Sequence, residues 1–464
     1  MNIYLVELKN KKMGLFNQKV NGIMLPILAV WAERIGWHAE VDFTELENVD
    51  YEKEWDVVAI CTFTHLAPSS YFLAERFRKM GKIVVIGGPH TKGRAEEARD
   101  HADVVFNNCN EQAWHKFLRA VEAKEITPSH DRGIFFPAPE LSEVPPYLEY
   151  KKFCSEDKLP MLISSLGCPH RCDFCTDWDS KYYKRRIDDV IADVRNVAAD
   201  VFAFCDPNFG ANAKFTSALL KEMIPLKKKY VMETSLAFLS NDEYLKLLRD
   251  SGCVAIEIGI ESLSTPYQKN GVKEVASLME NTIQRIRRIK QYIPGVQANI
   301  IFGFDNDTEE TFHSVVELHR LANIDSMVPF IATPFPGTPL WDRLELEGRI
   351  FERDWQFFNT KNLVITLKNL SAFSFYDLYI DVQRKINSPL VILRKVFKHL
   401  RDYKSMRMAF TVLIVLLIRA RNAFYFVIPE LQRAKKRVIS EGTYDKGSSI
   451  APPRLQIIGS TNSK

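Results

Sequence analysis

Three cysteines fall within one short stretch, Cys168-Pro169-His170-Arg171-Cys172-Asp173-Phe174-Cys175, directly after the run Met161-Leu162-Ile163-Ser164-Ser165-Leu166-Gly167. The run reads as a strand, and the C-x3-C-x2-C spacing places the thiols on the loop that leaves it. A structural zinc site takes four protein ligands, and a ferredoxin-type cluster takes four thiolates. Three crowded thiolates therefore leave one position open, which predicts a 4Fe-4S cluster whose fourth iron binds a substrate or cosubstrate. The other readings are three core cysteines, or a zinc ion completed by His170 or a remote residue.

The chain has 464 residues, 46% of them hydrophobic and 26% charged, which is room for two or three globular domains. A net charge of +4 is too small at this length to argue for a nucleic-acid partner. Eight cysteines are too few for a disulfide scaffold, and three have ligand spacing, which predicts a reducing, cytoplasmic setting. No basic segment followed by an apolar core opens the chain, so no secretory signal is expected. The longest apolar run, Met408 to Ile418, is 11 residues between Arg407 and Arg419. Roughly twenty are needed to span a bilayer, which argues against a transmembrane helix.

Strands and helices alternate from the start. Asn2–Leu8, His38–Phe43, Trp55–Cys61 and Lys82–Ile86 read as strands, with helices over Gly22–Gly36 and Tyr71–Met80. This pattern predicts an α/β fold whose N-terminal domain, residues 1–125, is a doubly wound, Rossmann-like parallel sheet. Residues 126–155 carry prolines at 128, 137, 139, 145 and 146 and read as an extended linker. From 156 to 345 strand and helix repeat about six times, with strands at Met161–Leu166, Val201–Cys205, Tyr230–Thr234, Val254–Ile260, Gln297–Phe302 and Ser326–Thr333. That is a partial (β/α)6 barrel, with chemistry expected at the carboxyl ends of its strands. Residues 346–440 read as a helical C-terminal region, with Phe373–Ile386 covering the barrel opening, and 441–464 as a disordered tail.

The cysteine motif, with the aromatic Phe174 directly before its third cysteine, resembles that of the radical S-adenosylmethionine (radical SAM) superfamily. The resemblance covers the whole barrel span. It implies that Cys168, Cys172 and Cys175 hold the cluster and that SAM chelates the open iron and is cleaved to a 5'-deoxyadenosyl radical. It also implies roles for residues at the strand ends. Phe174 lies beside adenine. Asp206, in Cys205-Asp206-Pro207-Asn208-Phe209-Gly210, holds the methionyl ammonium, or else caps a turn. Glu261 and Ser262, in Gly259-Ile260-Glu261-Ser262, take the ribose hydroxyls and methionyl carboxylate, or else cap a helix. Gly303, in Asn299-Ile300-Ile301-Phe302-Gly303-Phe304, belongs to an adenine-contact turn, and Thr333-Pro334-Phe335-Pro336-Gly337 resembles the sixth-strand exit. Cys154, Cys205 and Cys253 read as buried thiols.

The N-terminal domain resembles the cobalamin-binding domain that precedes the radical SAM core in one subgroup. Gly87-Gly88-Pro89-His90 matches the turn that approaches the corrin, with Gly87, Gly88 and His90 as candidate contacts. The sequence departs from that pattern twice: Lys9 to Gly22 contains no histidine for cobalt, and the later glycine-rich turn reads Asn107-Asn108-Cys109-Asn110-Glu111. A flavodoxin-like domain kept for packing or docking is the other reading.

The implied activity is a cobalamin-dependent methyltransferase acting on an unactivated carbon of a small-molecule or lipid-like substrate, with an electron donor such as flavodoxin or ferredoxin. Its alternatives are cobalamin-independent or non-methylating oxidation, cyclisation or rearrangement, and a non-catalytic cluster-binding protein. Between Arg394 and Arg407 stand Arg394, Lys395, Lys398, Arg401, Lys404 and Arg407 against Asp402 alone. Such a basic amphipathic stretch suits peripheral membrane contact through the C-terminal helices, or a lipid-like substrate, or a helical cap with a solvated basic face.

Overall fold

A computed structural model describes residues 1–9, 22–129, 131–141, 143–154, 159–239, 241–264, 275–403, 417 and 420–440. The first sheet holds β1 (Asn2–Leu8), β2 (His38–Thr44), β3 (Val57–Cys61), β4 (Ile83–Gly87), β5 (Val104–Val105) and β6 (Ile134–Phe135), in the order β2-β1-β3-β4-β5-β6. Every pairing in it is parallel. Alternation along β1 explains its two cores: Ile3 and Leu5 pack on one face, Tyr4, Val6 and Leu8 on the other. Helices α1 (Met24–Arg34), α2 (Ala67–Lys79), α3 (Thr91–Ala98) and α4 (Glu111–Glu122) cover those faces. The order reverses at β1 and β3, which puts a crevice at the carboxyl ends of these strands.

The proline-rich linker is not wholly a connector. Ile134–Phe135 pairs with β5 as the sixth strand, and Gly133 lies so close to Ala102 that an added Cβ would stand 1.9 Å from its carbonyl oxygen. Helix α5 (Tyr147–Tyr150) then packs between α1 and the barrel, where the Tyr150 hydroxyl donates to the Met161 carbonyl at 2.9 Å.

The second sheet holds β7 (Met161–Leu162), β10 (Val201–Phe204), β11 (Lys229–Ser235), β12 (Cys253–Glu261), β13 (Gly295–Phe302) and β14 (Ser326–Ile331), also parallel and in chain order. Among the described residues its end strands β7 and β14 share no ladder, so the barrel is open. Helices α6 (Ile187–Asn196), α7 (Ala213–Met223), α8 (Asp242–Asp250), α9 (Val275–Ile289), α10 (Glu309–Leu321) and α11 (Pro339–Leu346) follow the strands. Their starts are written in the sequence: Asn212, Asn241 and Thr338 cap α7, α8 and α11 through side-chain oxygens, and Thr308 with Thr311 forms a capping box on α10. Strict alternation along β13 buries Val296, Ala298, Ile300 and Phe302 under the helices. Gln297 and Asn299 then face the lumen.

Met161–Leu166 is not one strand. The backbone N–H of Ser164 turns to the Asp206 carboxylate at 2.7 Å, which interrupts the ladder. The second piece, β8 (Ser165–Leu166), pairs antiparallel with β9 (Tyr183–Lys184). Helix α12 (Ala372–Ile386) does not cover the barrel mouth. Phe375 meets Phe312 of α10 edge-on and the Tyr379 hydroxyl donates to Pro329 of β14 at 2.7 Å, because its aromatic face matches the outer wall. Helices α13 (Pro389–Tyr403) and α14 (Ile428–Ser440) complete the C-terminal region. The tail 441–464, the span 404–416 and the segment 10–21 lie outside the described residues.

Candidate cluster and cofactor site

The β8–β9 ladder closes residues 167–182 into a loop that carries all three motif cysteines. Gly167 has a φ of +66° and sits where a Cβ would be 2.0 Å from the Lys181 carbonyl oxygen, so only glycine lets the loop close. Inside it, Cys175 N donates to Cys172 O at 3.1 Å and Cys168 N to Ser180 Oγ at 3.3 Å. Two hydrogen bonds fasten the loop to the sixth-strand exit: Leu340 N to Asp173 O at 2.9 Å and Trp178 Nε1 to Gly337 O at 2.8 Å. Burial pushes the Cys175 thiol up to about 11, so an iron ligand must form here at the expense of its proton.

Among the described residues no three His, Cys, Asp or Glu groups converge tightly enough for a single metal ion. The His170 ring packs against Phe238 at 5.6 Å.

Phe174 is half-buried and faces Phe304 at 5.7 Å, next to Gly303, whose φ of +107° demands glycine. Cys168 and the strand-end asparagine are also joined: Asn208 Nδ2 points at Cys168 Sγ at 3.7 Å, while Asn208 Oδ1 accepts from Ser235 N at 3.0 Å.

Three of the candidate residues are engaged by contacts within the protein. Asp206 is 1% exposed, and its carboxylate accepts from Ser164 N, Ser164 Oγ and Ser165 Oγ at 2.7, 2.5 and 2.6 Å. It braces the strand that leads into the cysteine loop and offers no surface to a ligand. Burial raises its carboxyl, opposed by those donors. Ser262 is likewise 1% exposed. Its hydroxyl joins Ser264, whose own hydroxyl donates to Asp307 at 2.7 Å, and Asp307 accepts from Gly303 N at 2.7 Å. This relay ties the exits of β12 and β13 together, and burial lifts Asp307 to about 6 against those hydrogen bonds. His90 is fully buried; its Nε2 pairs with the Tyr71 hydroxyl at 3.0 Å and its ring meets Trp355 edge-on. It lies in an aromatic pocket with Tyr71 and Trp355 and does not line the crevice.

Gly87 and Gly88 do face the crevice. They line a cavity of about 620 Å³ with a mostly apolar wall. Its other sides come from Met24 and Leu28 of α1, Asn107–Cys109, Gly167 with Thr176, Asp177 and Asp179–Lys181 of the cysteine loop, and Pro336–Gly337. Gly88 has a φ of +114° and a Cβ there would stand 2.8 Å from Thr62 N, so glycine is required by packing as well as conformation. Lys92 bridges the two walls, with Nζ 2.8 Å from Asp177 Oδ1 and 3.2 Å from Thr176 O.

Within the barrel lumen, Glu233 and Glu257 are register partners, and Glu261 stands one layer higher on a bulge with φ +68°. Asn299 Nδ2 donates to Glu257 Oε1 at 2.7 Å. Glu233 keeps contact with water, yet protein encloses it; that enclosure first, and then the like charges of Glu257 and Glu261, push it up to about 8. Sequence reasoning passed over Asn208, Lys92, Glu233 and Glu257. A carboxylate in mid-strand of an otherwise apolar parallel sheet was the available signal for the two glutamates.

Residues 162–319 match the family model of the radical SAM superfamily. That match spans the strands and helices of the second sheet from β7 through α10, the cysteine loop included. The chain is 26% identical over 358 residues to a bacteriochlorophyllide d C-12(1)-methyltransferase of Chlorobaculum tepidum, covering 74% of this chain and 77% of that one. A C-8(2)-methyltransferase of the same organism is 27% identical, over 69% of this chain and 75% of its own length. Among solved structures, the radical SAM methyltransferase TsrM of Kitasatospora setae, with cobalamin and a [4Fe-4S] cluster bound, superposes with a TM-score of 0.59 at 16% identity, over 75% of each chain. The fold is shared with that enzyme.

Proposed function

We propose that this chain is a cobalamin-dependent radical SAM methyltransferase that methylates an unactivated carbon of a small-molecule or lipid-like substrate. The observation that carries the reading is the cavity walled on one side by the exits of the N-terminal sheet and on the other by the cysteine loop. A flat, largely apolar macrocycle fits such a wall, and the Gly87–Gly88 turn allows its close approach.

In this reading Cys168, Cys172 and Cys175 ligate the 4Fe-4S cluster, Phe174 and Gly303 border the adenine end of SAM, and Glu261 meets the ribose. When bound, these cofactors supply a carbon-centred radical that removes a substrate hydrogen and a methyl group that replaces it. The chain does the rest. Asn208 donates to Cys168 and tunes the cluster. Asp206 and Asp307 hold the strand ends in register. Lys92 keeps the corrin wall against the cysteine loop. Glu233 and Glu257 stand in the lumen, where the substrate lies, as hydrogen-bonding or proton-exchanging groups. No histidine lines the cavity among the described residues and none occurs from Lys9 to Gly22, so a corrin bound here would be held by the Gly87–Gly88 turn and the apolar wall. A flavodoxin- or ferredoxin-type donor delivers the electron.

Anaerobic reconstitution with iron, sulfide and hydroxocobalamin tests this. A cluster band with a retained corrin band, and both S-adenosylhomocysteine and 5'-deoxyadenosine on reduction with SAM, are expected. A cluster with 5'-deoxyadenosine but no corrin and no S-adenosylhomocysteine would move the assignment to non-methylating radical chemistry.

A further inference from the structure

Helix α13 wears its apolar side chains outward. Leu390, Leu393 and Phe397 are 79%, 53% and 62% exposed and fall at helical spacing on one stripe. The face turned to the protein carries Ile392 and the 7% exposed Lys395, whose Nζ lies 2.8 Å from both His319 Nε2 and the Asp325 carbonyl. A surface helix normally arranges these the other way round. The inversion means that the outer stripe meets something other than water.

Charge says what it meets. Beside the stripe, Arg394 and Arg401 join Arg287, Lys290 and Arg320 around an open basin of about 800 Å³; Lys290 is paired with Asp325 and Arg320 with Glu317, and no carboxylate lines the basin itself among the described residues. The basin lies at the amino ends of the barrel strands, away from the cysteine loop, since Lys290 and Asn323 immediately precede β13 and β14. After α13 the sequence runs into the apolar stretch Met408–Ile418 between Arg407 and Arg419. No helix among the described residues is long and apolar enough to cross a membrane.

We propose that α13 and this basin dock the enzyme on the surface of an anionic lipid bilayer. Leu390, Leu393 and Phe397 enter the headgroup layer, and the exposed Arg287, Arg394 and Arg401 meet lipid phosphates. The surface lies on the far side of the barrel from the cluster, so docking leaves the cluster end facing the aqueous phase. The proposal is independent of whether cobalamin is bound.

The test is co-sedimentation of the full-length, cluster-loaded protein with vesicles of phosphatidylcholine alone or mixed with phosphatidylglycerol. Partition into the anionic vesicles is expected, weakening as salt rises because exposed charges are screened. Arg394→Glu with Arg401→Glu, and separately Leu393→Asp with Phe397→Asp, are each expected to reduce it by about tenfold or more. Reductive cleavage of SAM stays unchanged in both, which shows that they fold. Failure of the unsubstituted protein to partition, equal partition into phosphatidylcholine, or undiminished binding by both variants overturns the proposal. So does a stable dimer without lipid that the Leu393→Asp, Phe397→Asp variant dissolves, since the stripe would then be covered by a second copy.

Discussion

Gly93 touches Pro336 backbone to backbone: a β-carbon added to Gly93 would stand 2.1 Å from the Pro336 carbonyl carbon and 2.3 Å from its oxygen. The helix after the glycine turn of the N-terminal sheet thus rests directly on the loop leaving the sixth barrel strand. Gly93→Ala must push these two backbones apart. The expected cost is about 1–3 kcal/mol of stability, as for other overpacked contacts, with loss of corrin retention and preservation of the cluster. Thermal unfolding and the two optical bands check it; unchanged corrin content would show that the contact does not set the cavity.

The cysteines divide into two groups. Cys168, Cys172 or Cys175→Ala is expected to abolish the cluster and SAM cleavage together. Cys154, Cys205 or Cys253→Ala should keep both, because these thiols lie outside the Gly167–Tyr182 loop and pack against the hydrophobic core. Iron and sulfide analysis beside a 5'-deoxyadenosine assay separates the groups.

Asn208 donates to a cluster thiolate, and such hydrogen bonds stabilise the more negative, reduced state. Asn208→Leu should therefore move the midpoint potential to more negative values by some tens of millivolts, with cluster content intact. An EPR-monitored redox titration reads the shift, and a potential that does not fall would remove Asn208 from the ligand environment.

Glu233 gives a pH signature. Its folded value is near 8, against an ordinary 4.5, so the folded chain keeps a proton that the unfolded chain has released. Stability should accordingly fall as pH rises from about 4.5 toward 8. Glu233→Gln, which never ionises, should flatten that part of the profile. Denaturant midpoints across the range for the two proteins provide the measurement, and parallel profiles would show that Glu233 is ionised in the fold.

Asp206→Asn leaves one acceptor facing three donors from Ser164 and Ser165. Loss of about 1–3 kcal/mol is expected, as for a buried group left unsatisfied. A fall in stability with an unchanged KM for SAM would fit a brace; a raised KM with unchanged stability would restore Asp206 as a SAM contact.

Much of this architecture is legible in the chain. Apolar runs such as Val57–Cys61 and Ile83–Gly87 announce buried parallel strands, and Asn212, Asn241 and Thr338 announce helix starts. The cysteine loop is local and carries its own spacing. The contacts of Asp206 and His90 are not legible, for one reason. Each stands at a strand exit where ligands are expected, but its partners come from afar: Ser164 lies 42 residues before Asp206, and Trp355 joins the His90 pocket from the C-terminal region. Gly93 gives no local sign at all, because its neighbour Pro336 belongs to another domain.

The second sheet ends where a closed barrel would join. Between β7 and β14 the wall is sewn by the cysteine loop itself, through Leu340 to Asp173 and Trp178 to Gly337. A seam of that kind can part without breaking any strand ladder.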